Sequence, residues 1–175
     1  MENELNLELC DNEWPFTYTD HDRSIVRAIL FDDTGMLHFI RAVRDDGFGN
    51  VTIIETSGGG VEEGDEDLHT AIRRELHEEL GATVEIIGKI GVVSDYYNLI
   101  HRHNINHYFL CRLISLGEND LTDDEKNRYH LKPLTLTFED AVMEYEHRAS
   151  TPLGRLIAAR ELPILKRAKE MIEAL

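Results

Sequence analysis

The sequence predicts an α/β fold, a mixed β-sheet with helices packed over it. Three observations carry this. Three β-rich segments precede a triple glycine, Gly58-Gly59-Gly60. One strongly periodic helix follows, between Asp65 and Gly81. Further strand-like segments come after it, so strands lie on both sides of a central helix. The length of 175 residues, with 42% hydrophobic and 30% charged, suits one soluble domain over 1–175. Within it, residues 1–23 read as an N-terminal extension and 152–175 as a C-terminal helical segment.

Residues 1–23 are polar, with Trp14, Phe16 and Tyr18 as anchors, and suit a packed extension or a short extra strand. Ser24–Phe31 is β-rich and stops at the turn Asp32-Asp33-Thr34-Gly35. Met36–Arg44 is its hairpin partner, and Asp45-Asp46-Gly47 with Gly49-Asn50 turns the chain into a third strand, Val51–Thr56. Asp65 reads as an N-cap, with Glu66 and Asp67 near the positive end of the helix dipole. Leu68, Ala71, Ile72, Leu76 and Leu80 recur at spacings of three and four, and Gly81 suits the C′ position. A strand over Thr83–Val93, a tyrosine- and histidine-rich loop around Asp95–Asn106 and a strand over His107–Leu116 follow. Then come an acidic loop, Gly117–Tyr129, a short strand, Leu131–Leu136, and a short helix, Phe138–Tyr145. Pro152–Leu175 reads as a helix interrupted or kinked at Pro163. Its Leu153, Leu156, Ile157, Leu162, Ile164, Leu165 and Ile172 could cover the sheet or join two subunits in a homodimer.

The net charge is −16, which opposes binding to nucleic acid. It does not oppose a phosphorylated small molecule, because a bound cation inverts the local field. No apolar run is long enough to span a membrane, and the acidic N-terminus has no signal-peptide core. Cys10 and Cys111 lack metal-ligand spacing and read as unpaired thiols of a cytoplasmic protein.

The central helix holds the informative anomaly. At roughly 100° per residue, Glu75 and Glu79 fall inside the apolar stripe and Glu78 at its edge. Like charges three and four apart cost a few tenths of a kcal/mol each even in water. Burial enlarges the repulsion and favours protonation. Two resolutions exist: this half of the helix sits at a solvated rim, or a hard cation lies among the acids. Mg²⁺ takes a few carboxylates together with water and phosphate oxygens, so such a set beside a cleft suits it. No paired cysteine or histidine accompanies the acids, which opposes zinc. The glycines before the helix allow close approach to the main chain, and Gly64 turns the loop toward the helix.

Gly60, Glu66, Arg74-Glu75, Leu76, Glu78-Glu79, Gly81 and Ala82 together resemble the signature of the Nudix hydrolase family. At residue frequencies of roughly 6–7%, its seven fixed positions match by chance about once in 10⁸ start points. Ala82 is smaller than the usual aliphatic residue, and Ser57 stands where many members have proline. The resemblance implies the Nudix fold, a mixed sheet sandwiched between helices. It implies a metal-dependent hydrolase cleaving a phosphoanhydride in a nucleoside diphosphate linked to another group, or in a similar nucleotide-derived molecule. Glu75, Glu78 and Glu79 become ligands for Mg²⁺ or Mn²⁺, with the Gly59 carbonyl a further ligand. Gly60 and Gly81 shape the box. Glu66 and Arg74 become a structural pair, although on the helix wheel they lie about 80° and two turns apart. The glycine loop must therefore mediate any pairing.

A carboxylate must accept the attacking water's proton, from the helix or from beyond it. Relatives often place an acid in the region of Leu121–Leu131, where Glu125 is the first candidate and Asp123 and Asp124 its neighbours. Arg44, Tyr97 and His103 are candidates for substrate contact: Tyr97 could stack on a base or simply pack. The stretch His101–His107 could offer positive charge to phosphate or sugar, and its three histidines could alternatively be a zinc site or incidental. The competing functional class is a Nudix domain that senses a nucleotide without cleaving it. Such regulators usually add a DNA-binding domain and lose a box glutamate, and none is missing here.

Overall fold

The computed structural model of the protein describes residues 3–175. Seven strands and four helices follow one another as β1 (Leu5–Leu9), β2 (His21–Phe31), β3 (Leu37–Asp46), β4 (Gly49–Gly60), α1 (Leu68–Leu80), β5 (Ala82–Tyr97), β6 (Arg102–Leu116), α2 (Asp123–Asn127), β7 (Lys132–Leu136), α3 (Phe138–Arg148) and α4 (Pro152–Glu173). They form one mixed sheet in the order β1-β5-β6-β2-β4-β3-β7. The pairings β1–β5 and β2–β6 are parallel; the others are antiparallel. The predicted extra strand near the N-terminus is β1, which extends the sheet beside β5.

The two faces of the sheet carry separate cores. Val26, Ala28 and Leu30 on β2 pack with Ala71, Ile72, Leu76 and Leu80 of α1. Ile29 and Phe31, on the alternate positions of β2, pack with Tyr145 of α3 and with Leu153, Ile157, Ile164 and Leu165 of α4. Strand side chains alternate between faces, so one strand serves both layers. The apolar stripe of α4 thus covers the sheet, the first of the two uses the sequence left open for it.

Several boundaries differ from the sequence reading, each for a local reason. The three glycines are the last residues of β4: Gly58, Gly59 and Gly60 pair with Arg27, Val26 and Ile25 of β2. A Cβ at Gly58 would lie 2.0 Å from the Val26 carbonyl oxygen, so only glycine lets the strands come this close. The N-cap is Asp67, whose side chain accepts the Thr70 N–H at 2.7 Å. Asp65 instead closes the preceding turn, its carboxylate accepting the Glu62 N–H at 2.8 Å. Gly81 does occupy the left-handed C-terminal position, at φ 66°.

The region expected as a tyrosine- and histidine-rich loop is largely strand. β5 runs to Tyr97 and β6 starts at Arg102, joined by a 3-10 turn over Asn98–Ile100. The acidic loop contains α2, capped by Thr122. Helix α4 runs through Pro163 without a break. Proline removes the N–H that would reach the Ala159 carbonyl, but Ile157 and Ala158 before it and Ile164, Leu165 and Ala168 after it are buried. That packing fixes the helix on both sides of the missing bond. Both cysteines are free, Cys10 exposed and Cys111 buried. Among the described residues, no helix is long and apolar enough to cross a membrane.

Candidate active site

The sheet opens a cleft of about 550 Å³ between the glycine end of β4, the first residues of β2 and β6, α2 and the start of α4. Glu55 of β4, Glu75 and Glu79 of α1 and Glu125 of α2 line it. Glu75 is buried, and a Cβ at Gly59 would lie 2.7 Å from its carboxylate. The glycine therefore makes the space in which this acid sits. Burial pushes the Glu75 carboxyl above its ordinary range, against the lowering influence of Arg74. Glu79 accepts from the Ser57 hydroxyl at 2.7 Å and from the Gly58 N–H at 3.3 Å. Even so, burial, with Glu75 and Glu55 nearby, pushes it up to about 8.

Arg74 organises the other acids. Its guanidinium donates to Asp65 through Nε at 3.0 Å and Nη2 at 2.8 Å, and through Nη2 to the Gly60 carbonyl at 3.1 Å. Its Nη1 donates to Glu75 at 2.8 Å and Glu78 at 3.3 Å. The partner holding Arg74 to the loop is thus Asp65, whereas Glu66 is exposed. The turn that brings Asp65 inward sends its neighbour outward. Glu78, with 41% of its side chain exposed, leans along the helix to Arg74 rather than to Glu79. Among the described residues, no three acidic, histidine or cysteine side chains converge closely enough to cage an ion by themselves. The donors around the cleft are all oxygens that repel one another, which fits a hard divalent cation sharing them with a phosphate.

The remaining sequence candidates divide. Glu125, on α2, is half-buried and faces the cleft, whereas Asp123 and Asp124 are exposed. Tyr97 lines the cleft but is buried, its hydroxyl accepting from Arg160 Nη1 at 2.7 Å. Arg44 lines the cleft beside Phe48 and is held by Asp46 at 2.6 Å. His103 lies outside the cleft lining, with one ring nitrogen 2.6 Å from Asp22 and the other 2.6 Å from Ser94. His101 stacks on Tyr18, so these two histidines serve separate local contacts.

Sequence reasoning missed Glu55, Arg23, Arg27 and Arg160, all in the cleft lining, and held Arg102 and Asn104, also there, only as members of the stretch His101–His107. Glu55 carried a legible signal, a charge inside the apolar run Val51–Thr56. Arg160 and Glu161 carried a misleading one, because they stand beside Pro163 and look like an exposed helix break. Both are buried, at 1% and 0% exposure. Glu161 accepts from Thr56 at 3.1 Å, Tyr108 at 2.8 Å and Arg160 Nε at 3.0 Å. This network ties α4 to the polar floor of the cleft.

A family model for the NUDIX domain matches residues 21–153. The chain belongs to the Nudix family. No curated protein sequence matches it significantly. Among solved structures, it is similar to a NUDIX hydrolase from Nitrosomonas europaea, at 14% identity over 71% of this chain and 78% of the other, with a TM-score of 0.58. It is also similar to a MutT protein from Methanosarcina mazei Go1, at 16% identity over 90% and 98%, with a TM-score of 0.58. The ORF135 protein of E. coli matches at 21% identity over 87% and 92%, with a TM-score of 0.56. These likenesses concern the Nudix fold. Family membership supports pyrophosphate-bond hydrolysis as the general chemistry, and Nudix hydrolases in general use divalent metals.

Proposed function

We propose that the cleft hydrolyses a phosphoanhydride in a nucleotide-type small molecule, with Mg²⁺ or Mn²⁺ held by Glu75, Glu78 and Glu79 beside Gly59. The observation that carries this reading is the gathering of Glu55, Glu75, Glu79 and Glu125 on one cleft behind glycines, one of which leaves room for an acid. When bound, the cation supplies positive charge against diphosphate oxygens and against the charge developing on the leaving phosphate.

The chain's own groups do the rest. Arg74, anchored on Asp65 and the Gly60 carbonyl, holds Glu75 and Glu78 in place. Ser57 and Gly58 orient Glu79. Glu125, alone among the three acids of α2 in facing the cleft, accepts the proton of the attacking water. Phe48, Ile53, Ile100, Leu153 and Ile157 form an apolar wall for the uncharged part of the substrate. Gly60, Gly81 and Arg74 keep the box in shape, and Arg44 and Tyr97 shape the substrate's path.

The test is incubation with Mg²⁺ and a panel of nucleoside diphosphate derivatives and nucleoside triphosphates, with products identified by mass spectrometry. Release of a nucleoside monophosphate or of phosphate species, lost in Glu79→Gln, is the expected result. Binding without turnover would instead identify a nucleotide sensor.

A further inference from the structure

Five arginines line the cleft of a chain whose net charge is −16. Three are committed to the protein's own acceptors. Arg44 binds Asp46; Arg27 binds Asn106 and the Thr56 carbonyl; Arg160 binds Glu161, Asp95 and Tyr97. Arg23 and Arg102 differ. Neither side chain has a hydrogen bond or ion pair with any other described residue, although acids outnumber bases 34 to 18 in the sequence.

The sheet places these two together. β2 and β6 run parallel with Arg23 opposite Asn104 and His21 opposite Arg102. Residues two apart share a face of a strand, so Arg23, Arg102 and Asn104 stand on one face. Burial, and then the like charges of Arg102 and Arg27, push Arg23 below its ordinary range. Arg23 is half-buried and Arg102 exposed, and a half-buried charge beside a like charge is unfavourable unless an anion joins them. Asn104 is buried and its amide oxygen has no hydrogen-bond partner. Buried polar atoms of this kind ordinarily find one. The two guanidiniums thus lack an anion, and the Asn104 oxygen a donor such as a substrate hydroxyl, that a ligand in the cleft would supply.

Their position relative to the acids narrows the ligand. A Cβ at Gly60 would lie 2.9 Å from Arg23 Nη2, and one at Gly59 2.7 Å from the Glu75 carboxylate. Arg23 and Glu75 therefore flank two consecutive residues. A diphosphate held at the acids would carry its next group onto the arginines. An internal phosphate bears one charge, whereas a terminal phosphate bears up to two and presents three oxygens. Two forked guanidinium donors match the latter.

We propose that Arg23 and Arg102 form a subsite for a terminal phosphate, so that the substrates are nucleotides ending in a free phosphate, such as nucleoside triphosphates, rather than diphosphates capped at both ends. This rests on reading the acid cluster as the reaction centre. Two measurements test it. The first compares kcat/KM for a nucleoside triphosphate and for a capped diphosphate of the same base. Arg102→Ala and Arg23→Gln should each lower the triphosphate-to-capped ratio at least about tenfold, chiefly through KM. A ratio within about threefold of wild type in both variants overturns the subsite.

The second needs no turnover. Inorganic phosphate is titrated into metal-free protein while the Nε–H signals of Arg23 and Arg102 are followed by nuclear magnetic resonance. Saturable shifts at both, with affinity at Arg23 weakened at least about tenfold in Arg102→Ala, are expected. Absence of saturable shifts overturns the proposal. Failure of the reaction-centre reading looks different: wild type then turns over neither class of substrate, whatever the phosphate titration gives.

Discussion

Glu79 makes the stability of the metal-free protein fall with rising pH, and a divalent cation should remove that fall. Its carboxyl is pushed from an ordinary 4.5 up to about 8 in the folded protein. In the unfolded chain it returns to the ordinary value. Between these two values the folded state holds the extra proton, so this contribution is fully present below pH 4.5 and is lost as pH rises toward 8. At about 1.4 kcal/mol per pH unit the loss has a ceiling of roughly 4–5 kcal/mol. Glu79 is partly open to the cleft, and solvent there screens the effect, so we expect about 2 kcal/mol. In a chain of this size that is a fall in Tm of about 4–8 °C between pH 5.5 and pH 8.5.

The assay is thermal unfolding across that range, with and without Mg²⁺, for wild type and Glu79→Gln. Burial lowers the pKa of His107, which works in the opposite sense below about pH 6.5. This and other background titrations drop out of the difference between the two proteins. Wild type should show the steeper fall and the larger Mg²⁺-induced rise at pH 8.5. The amide variant keeps an acceptor for Ser57 but has no proton to lose. Identical pH slopes and identical Mg²⁺ responses in the two proteins would falsify the reasoning.

Three further outcomes follow from the same geometry. Glu78→Gln should lower turnover at least about a hundredfold, roughly 2.7 kcal/mol of barrier, with an unchanged circular dichroism spectrum; undiminished turnover removes Glu78 from the ligand set. Arg74→Ala strips the partner from Asp65, the Gly60 carbonyl and two glutamates. It should cost about 2–4 kcal/mol in urea unfolding, and a cost below about 0.5 kcal/mol contradicts its anchoring role. Gly58→Ala would set a Cβ 2.0 Å from the Val26 carbonyl oxygen, so β4 must shift away from β2. We expect a loss of at least about 2 kcal/mol by the same measurement, and wild-type stability would show that the strands are not held at this distance.

The parts of the fold legible in the sequence were those with local signals. Alternation and turn residues gave the three strands before the helix, and the spacing from Leu68 to Leu80 gave α1. The box residues stood out because acids shared an arc with the helix's apolar stripe. What stayed hidden depends on pairing between distant segments. Arg23 and Arg102 meet because β2 and β6 run parallel, a register that neither strand's own pattern specifies. Arg160 and Glu161 look solvated beside Pro163 until α4 is laid on the sheet and Thr56 and Tyr108 reach Glu161. The exchange of Asp65 for Glu66 as the partner of Arg74 arose from one turn. Two acids adjacent in sequence fit the same composition, and only the cap at Asp67 decides which points inward.

The claim beneath the functional reading is that a divalent cation sits among the cleft carboxylates. Mn²⁺ binding followed by electron paramagnetic resonance, comparing wild type with the double variant Glu75→Gln/Glu79→Gln, tests it most directly. Wild type should bind Mn²⁺ and the double variant at least about tenfold more weakly, with turnover falling alongside. Equal Mn²⁺ affinity in the two proteins would contradict it.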